Sequence, residues 1–558
     1  MGGNRMPKRN LCLWGALLSA GMIAALVSGA EGQVNVPRFQ TSDRCLPCHN
    51  HLSTRGGEDI SMGLAWRPTM MANSSRDPYW QASVRRESME HPAAQGGIED
   101  ECAICHMPMA RYEAAEAGGK GAVFAHLGFV PGNPRDALAE DGVSCTLCHQ
   151  ISKDKLGSRE TFVGRFVIGG PGAAGERGIF GPYAPDAGQS RVMASSTGGF
   201  RPVESPHLGQ SEACASCHTL YTRPLGPAGQ DLGEFPEQVP YEEWTHSAYR
   251  NVMSCQACHM PVVKEKTAVS SVLGVPRARV SRHTFPGGNF FMNGILNRNR
   301  HELGVDASPD EFAASAQKTL AQLQSESARI AVRSLEVRSG RLEAEVAVEN
   351  LAGHKLPTAY PSRRVWLHVT VRDGGNRKVF ESGAVDPSGR IPDNDNDTDA
   401  SRYEPHYTEI RNPGEVQIYE PILGDGGGAV TTGLLRAARY LKDNRILPRG
   451  FDKQKAGKTI AVVGRALEDP DFTGSGDRVR YSVDLGDAKG PFTLEAELLY
   501  QPIGYRWAVN LKEFDAAEPR RFVRYYEAAA GSSTALLAKA KAGTDQQNGD
   551  GPEQSLLK

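Results

Sequence analysis

The feature that most constrains this chain is a five-residue pattern, in which two cysteines separated by two residues are followed at once by a histidine. It occurs five times between residues 45 and 259, and it uses every cysteine of the chain except Cys12. The cysteines are Cys45, Cys48, Cys102, Cys105, Cys145, Cys148, Cys214, Cys217, Cys255 and Cys258, and the histidines are His49, His106, His149, His218 and His259. What these fifteen side chains hold together determines both the fold and the function.

The repeated pattern indicates covalent haem. The two thiols of such a motif add across the vinyl groups of a c-type haem, and the histidine becomes an axial ligand of the iron. Zinc ribbons combine cysteine pairs into fours, so an odd number of pairs leaves one without a partner. A redox dithiol does not require histidine at the same offset each time. We therefore predict five c-type haems, held by the ten cysteines and ligated by the five proximal histidines.

The close spacing of the motifs predicts that the haems pack against one another. Five porphyrins attached within residues 45–259 cannot be insulated by so short a segment, so electrons can pass between neighbouring rings. Aromatic residues make up only 7% of the chain, as expected if the macrocycles fill much of the interior.

The second axial ligand of each iron decides the class of function. Two strong ligands on every iron leave electron transfer only, whereas one missing ligand permits catalysis. His246 lies nine residues before Cys255, and His283 precedes a Pro-Gly-Gly turn that could present it rigidly. His354 is either a turn histidine or a ligand that reaches back to a haem. The distal candidates are His91, His126, His207, His246, His283 and His354.

The N-terminus predicts export. Arg5, Lys8 and Arg9 precede an apolar stretch over residues 11–27, and small residues follow at 28–30. This pattern is typical of a secretory signal peptide over residues 1–30, with an uncleaved membrane anchor as the alternative. We expect a periplasmic or extracellular protein. The net charge of −2 and the pI near 6.7 give no basic excess, which argues against a nucleic-acid partner.

The C-terminal half predicts a different architecture. A helix should begin with Ser308 as its N-cap and Pro309 at its first position, and should end near Arg329. Apolar and polar residues then alternate over 341–350, 364–373, 378–383, 478–486 and 492–502, as in half-buried antiparallel strands. The predicted domains are a haem domain over 31–305, a linker helix over 306–330, an immunoglobulin-like β-sandwich over 331–528 and a disordered tail over 529–558.

An acidic loop in this half is a candidate calcium site. Asp393, Asp395, Asp397 and Asp399 alternate with Asn and Thr, and hard oxygen ligands on a flexible loop suit calcium. The twelve-residue EF-hand pattern is not met, so a solvated acidic loop is the alternative.

Several stretches resemble a known family, the exported multihaem c-type cytochromes, which are loosely related to tetrahaem cytochromes and hydroxylamine oxidoreductase. The stretches are "DGVSCTLCHQ", "CAICHMPM", "SEACASCHTLYT", "YEEWTHSAY" with "CQACHMP", "HTFPGGNFFM" and "GHKLPTAYPSRRVWLHVTVRD". The resemblance implies a helical, loop-rich domain with stacked haem pairs and a role in electron transfer. It also strengthens the expectation that His354 is a distal ligand.

We therefore expect an α + β multidomain protein in which a multihaem cytochrome domain precedes a β-sandwich. Its expected function is electron transfer along five haems, with redox proteins as partners and a peripheral association with a membrane or outer-membrane complex. One alternative is an oxidoreductase with one open-site haem that acts on a small nitrogen or sulfur compound. Another is an assembly or docking module of an extracellular electron-transfer complex.

Overall fold

The computed structural model describes residues 36–128, 133–172 and 175–545. The predicted signal peptide over residues 1–30 and the end of the predicted tail, residues 546–558, lie outside the described residues. In the three described ranges, no helix combines the length and the apolar character that a membrane crossing requires.

The N-terminal half consists of short helices joined by long loops and two small sheets. Its helices are α1 Leu46–His49, α2 Met62–Trp66, α3 Pro78–Glu90, α4 Gln95–His106, α5 Pro108–Glu116, α6 Pro134–Glu140, α7 Cys145–Cys148, α8 Ala187–Thr197, α9 Ser211–Ala215, α10 Pro240–Thr245, α11 Cys255–His259, α12 Phe290–Arg298, α13 Arg300–Leu303 and α14 Pro309–Glu326. Strands β1 Arg177–Gly181 and β2 Phe200–Glu204 pair in parallel, and β3 Leu220–Thr222 pairs antiparallel with β4 Phe235–Gln238. The paired-cysteine motifs are distributed over this half.

Helix α14 begins where the sequence predicts. The Ser308 side chain accepts a hydrogen bond from the Glu311 backbone, the Glu311 side chain accepts one from the Ser308 backbone, and Pro309 is the first helical residue. This reciprocal capping satisfies backbone donors that the first helical turn leaves unpaired. The helix ends at Glu326, slightly before the predicted position, and the first strand of the next sheet starts at Ala328.

The C-terminal half is dominated by strands. They are β5 Ala328–Arg338, β6 Arg341–Asn350, β7 Arg364–Arg372, β8 Lys378–Ser382, β9 Glu409–Ile410, β10 Ile418–Tyr419, β11 Pro421–Asp425, β12 Val430–Thr431, β13 Ala437–Asp443, β14 Asp477–Asp484, β15 Thr493–Gln501 and β16 Ala535–Gly543. The helices are α15 Asp395–Thr398, α16 Tyr505–Val509 and α17 Ala517–Ala529. The five predicted strands are confirmed, because their alternating patterns coincide with β6, β7, β8, β14 and β15.

Two large sheets share one apolar core. One has the strand order β5-β6-β14-β9, the other has the order β10-β7-β15-β16 with β8 also beside β7, and a third, smaller sheet has the order β12-β11-β13. Val346, Leu367, Val479 and Leu498 come from both large sheets and are fully buried in the same cluster. The predicted α + β architecture, with a helical half followed by packed sheets, is confirmed.

The predicted disordered tail is wrong for part of its length. Strand β16 pairs antiparallel with β15 along most of its length, with Thr493 opposite Gly543 and Tyr500 opposite Ala535. Leu537 is buried in the shared core, and this burial explains why the segment is ordered. The prediction gave too much weight to the glycine- and glutamine-rich composition beyond residue 543.

The two halves are joined by side chains of α3. This helix packs against α17, and the Arg85 guanidinium binds the Glu518 carboxylate with Nε and Oε2 2.8 Å apart. The Glu87 carboxylate accepts hydrogen bonds from the backbone of Leu434, at 2.7 Å, and of Leu435, at 3.2 Å. The described residues from Val36 onward accordingly form one compact unit.

Two buried carboxylates in this region make stability depend on pH. Burial raises the pKa of Glu87 to about 7 and that of Glu237 to about 8, from an ordinary value of 4.5. The folded protein therefore keeps protons that the unfolded chain releases above about pH 4.5. The contribution of these groups to stability is greatest at low pH and falls as pH rises toward 8.

We expect Glu237→Gln to flatten this pH dependence. The wild-type protein should lose thermal stability between about pH 5 and about pH 9, by up to a few kcal/mol from Glu237. The glutamine variant should lose clearly less, because it has no proton to release. Thermal midpoints across this range measure the effect, with the exposed residue Glu513 changed to Gln as the control. Equal slopes for all three proteins would contradict the prediction.

Candidate haem-binding site

Each of the five motifs lies on or beside a helical turn. Helices α1, α4, α7, α9 and α11 carry all or part of the successive motifs. Residues three and four positions apart lie on one side of such a turn, so the two thiols and the histidine of a motif face the same way. All ten cysteines are free thiols in the structure.

Four of the five proximal histidines are held by backbone carbonyls. A carbonyl oxygen only accepts, so Nδ1 carries the proton and Nε2 keeps its lone pair, as in histidines that bind metals. The Nδ1 distances are 2.7 Å from His49 to Val269, 2.9 Å from His106 to Ser74, 2.6 Å from His149 to Phe180 and 2.6 Å from His259 to Pro286. The fold thus fixes the ligating tautomer at these four positions.

The proximal histidines are neutral at neutral pH. Burial lowers the pKa of His106 and of His218 to about 4, and it also lowers the pKa of His49, His149 and His259. Neutral imidazole is the form that binds metal. The site therefore favours ligation at all five motifs.

Two proximal histidines face a second histidine. His149 lies opposite His283, with ring centroids 6.4 Å apart and ring planes 18° apart. His259 lies opposite His354, also at 6.4 Å, with planes 15° apart. Two imidazoles that bind one metal ion each have a metal–nitrogen bond of about 2 Å. When the distance from each nitrogen to its ring centroid is added, the two centroids are about 6 Å apart. The spacing of both pairs therefore fits one iron between two imidazoles.

Both distal members of these pairs are in the ligating tautomer. The Nδ1 atom of His354 donates to the Lys355 carbonyl at 2.9 Å, and that of His283 donates to the Ser281 carbonyl at 3.2 Å. Burial lowers the pKa of both, that of His283 to about 4. Each ring can therefore offer Nε2 to a metal.

Three further distal candidates could also offer Nε2 to a metal. In two of them Nδ1 makes a hydrogen bond, and in the third Nε2 has no partner among the described residues. His126 binds the Asp136 carboxylate through Nδ1 at 2.8 Å, and His246 binds the Glu242 carbonyl through Nδ1 at 2.8 Å. The Nε2 atom of His91 is buried and has no hydrogen-bond partner among the described residues. A buried ring nitrogen without a partner fits a metal ligand.

The prediction of His207 as a distal ligand is wrong. Its Nε2 donates to the Ile151 carbonyl at 2.8 Å, and its Nδ1 accepts from the Ser205 hydroxyl at 2.6 Å. Both ring nitrogens are therefore occupied, and the buried ring links two loops. Its position seven residues before Cys214 reflects this structural role.

Thiols of different motifs lie near one another. Cys45 and Cys145, Cys105 and Cys217, and Cys214 and Cys255 are close enough for one thiol to shift the pKa of its partner. The Cys214 contact lowers the pKa of Cys255 to about 7. The Cys148 and Cys217 thiols also lie close enough to interact electrostatically. All five motifs thus belong to one connected cluster, in which the fourth motif adjoins the second, the third and the fifth.

The candidate calcium site is not formed. The buried Asp397 is bound by both terminal nitrogens of Arg364, at 2.8 and 2.9 Å. Asp395 binds Arg402 at 2.8 Å, and Asp399 accepts the backbone N–H of Ser401 at 2.9 Å. Neither these three carboxylates nor Asp393 contribute to a group of three metal-ligand atoms in the part of the chain that is described. The acidic residues instead bind the side chains of Arg364 and Arg402 and stabilise a local turn.

A second cluster has the composition of a metal site but the wrong tautomer. His406, Asp469 and Asp477 are buried and place one potential ligand atom each within 4.8 Å of the others. The side-chain oxygen of Asn444 accepts the Glu420 backbone N–H at 3.0 Å, so its NH₂ group faces Nδ1 of His406 at 3.1 Å. His406 must therefore carry its proton on Nε2, which donates to Asp469 at 3.0 Å. The cluster is a hydrogen-bonded network.

Sequence reasoning missed the residues that orient the histidines. Trp80 stacks on the proximal His106, with ring centroids 4.4 Å apart and planes 4° apart. The Pro-Gly-Gly turn after His283, predicted to present that histidine, supplies the Pro286 carbonyl that holds His259. The sequence gives no indication of this role for Trp80, because Trp80 lies far along the chain from the Cys102–His106 motif.

The residues present fit covalently attached haem. Free thiol pairs, ligating tautomers, neutral imidazoles and two facing ring pairs meet the requirements of c-type attachment and bis-histidine ligation.

The chain shares its fold with a solved multihaem protein. The crystal structure of a penta-heme cytochrome c552 from Thermochromatium tepidum matches 91% of this chain and 99% of its own, with a TM-score of 0.50 and 16% sequence identity. No family model matches, and no curated protein matches. At this identity the likeness establishes a shared fold.

We expect His207→Ala to act on stability alone. Loss of two buried hydrogen bonds should cost about 1–3 kcal/mol. Because neither ring nitrogen is available to iron, the absorption spectrum of the purified protein should stay unchanged. Thermal denaturation and visible spectroscopy measure the two effects. A change in the haem absorption bands would restore His207 as a ligand.

Proposed function

We propose that this protein is an exported electron carrier in which five covalently bound c-type haems pass electrons one at a time. Its five motifs would each supply two thioether links and a proximal histidine. Each haem would supply an iron that cycles between the ferric and ferrous states. The protein's own part is to attach the haems, fix their axial ligands and hold them close together.

The observation that carries this proposal is the pairing of histidine rings. His149 with His283 and His259 with His354 show the spacing that a six-coordinate iron requires. The remaining proximal residues are His49, His106 and His218. The remaining candidates are His91, His126 and His246, whose Nε2 atoms have no hydrogen-bond partner among the described residues. Five distal candidates for five proximal histidines favour a bis-histidine set without an open position.

The contacts between motifs support electron transfer through the protein. Haems attached to thiols that lie near each other would themselves be close together. An electron would then not need to cross insulating protein between them. The connected cluster of motifs offers a continuous route, with the fourth motif at a junction. Redox proteins that approach the surface would be the donor and the acceptor, with peripheral association at a membrane or outer-membrane complex as a further proposal.

Spectroscopy of the purified full chain tests the proposal. We expect an intact mass equal to the mature chain plus five haems, and ferric signals in electron paramagnetic resonance that are entirely low-spin. Nitrite, hydroxylamine and cyanide should leave the spectrum unchanged. A high-spin haem that binds one of these would instead support the open-site oxidoreductase.

We expect His283→Ala and His354→Ala each to convert one haem in five from low-spin to high-spin. Loss of one axial nitrogen leaves that iron five-coordinate, while covalent haem content stays at five. The matched control is His368→Ala, because both nitrogens of His368 bind carboxylates, Nδ1 to Glu497 at 2.9 Å and Nε2 to Glu381 at 3.2 Å. High-spin signal in the control, or its absence from both test variants, would argue against the pairing.

A further inference from the structure

The loop between β6 and β7 carries His354 into the facing pair with His259. The last residue of β6, Asn350, is buried and uses one side-chain nitrogen twice, donating to the His354 carbonyl at 2.8 Å and to the Ile446 carbonyl at 2.9 Å. Leu356 exchanges two backbone hydrogen bonds with Ile446, each 2.9 Å long. The loop is therefore fastened to the β-sheet half on both sides of the histidine.

A cluster of four buried charges lies against the same loop. The Lys355 ammonium binds Asp443 at 2.7 Å, Asp443 also binds Arg445 at 2.8 Å, and Arg445 binds Glu243 at 2.9 Å. None of the four side chains is more than 3% exposed. Two cations and two anions make the cluster neutral. Glu243 belongs to α10 in the helical half, so the cluster joins the two halves.

Lys355 is tied to its surroundings at three points. Its backbone N–H donates to Glu243 Oε2 at 3.1 Å, and its ammonium reaches Asp443. Its carbonyl accepts the hydrogen bond from Nδ1 of His354 that fixes the ring tautomer. The contacts of Lys355 therefore hold the backbone beside His354, and its carbonyl fixes which ring nitrogen carries the proton.

We propose that Lys355, held by the four-charge cluster, is the positioning residue that keeps His354 opposite His259 and so completes the coordination of the fifth haem. The inference rests on the proposed function, because it requires a haem at Cys255 and Cys258. It gives the β-sheet half a defined part in the redox site, namely the supply and orientation of a distal ligand.

The energetics favour a positional role for the cluster. A buried ion pair stabilises a fold little more than apolar residues of the same size, because desolvation offsets the attraction. Its directional hydrogen bonds, however, permit one geometry, whereas apolar contacts tolerate several. A ligand that must meet an iron atom needs such a fixed geometry.

The test variant is Lys355→Met in the full haem-loaded chain. We expect covalent haem content to remain at five by intact mass. One haem in five should become high-spin in electron paramagnetic resonance, as in His354→Ala, because the loop no longer holds the ring. Wild-type spin state in Lys355→Met would overturn the proposal.

The matched control is Lys442→Met. Lys442 is also buried in the β-sheet half and binds a glutamate, Glu420, with Nζ and Oε1 3.1 Å apart. Among the described residues, no side-chain hydrogen bond or ion pair joins Lys442 or Glu420 to the His354 loop. Its removal should lower stability as Lys355→Met does and leave every haem low-spin. An equal high-spin fraction in both variants would show a general effect of lost stability and overturn the proposal.

A second variant tests the same role of Lys355 while keeping the buried charges balanced, so that the protein is more stable. The double variant Lys355→Met with Asp443→Asn removes one charge of each sign and leaves the Arg445–Glu243 pair balanced. We expect the same high-spin fraction at a stability closer to wild type. Fewer than five haems in the wild-type mass would instead refute the proposed function. If His354→Ala stays low-spin, the ring pairing fails and this inference fails with it.

Discussion

The site depends on hydrogen bonds from histidine Nδ1 atoms to backbone carbonyls. Each bond fixes one tautomer, so Nε2 is left as the only nitrogen that can bind iron. The acceptors come from distant parts of the chain, as with Val269, which lies 220 residues after His49. A motif alone would therefore suffice to attach a haem, whereas the folded chain would determine how its iron is ligated. Burial reinforces this control, because it keeps the same imidazoles neutral.

A pair of facing histidines and several packing contacts join the two halves of the molecule. His354 comes from the β-sheet half, while its facing partner His259 comes from the helical half. Helix α17 packs on α3, and the Glu87 carboxylate receives two backbone donors from the other half. A haem between His259 and His354 would add a further link across this boundary. Separating the halves would remove one ring of the facing pair as well as apolar contacts.

The sequence predicted those features whose cause is local. The capping residues of α14 and the alternating pattern of β6 and β7 depend on near neighbours, and both predictions are confirmed. The ring pairs depend on tertiary contacts, and nothing near His283 indicates that it faces His149. The acidic run failed as a calcium site for a related reason, since only the fold reveals that Arg364 binds Asp397. His207 likewise gave no local sign that both its nitrogens are occupied.

The order of the motifs along the chain differs from their order in space. The thiols of the first motif lie near those of the third, and the thiols of the fourth lie near those of both the second and the fifth. An electron that followed the spatial neighbours would therefore pass between haems that are far apart in sequence. Most such steps would pass through the fourth motif, which adjoins three others. The path of electrons would thus depend on the tertiary structure, which brings the motifs together. The same structure supplies the backbone carbonyls that hold four of the proximal histidines in the ligating tautomer.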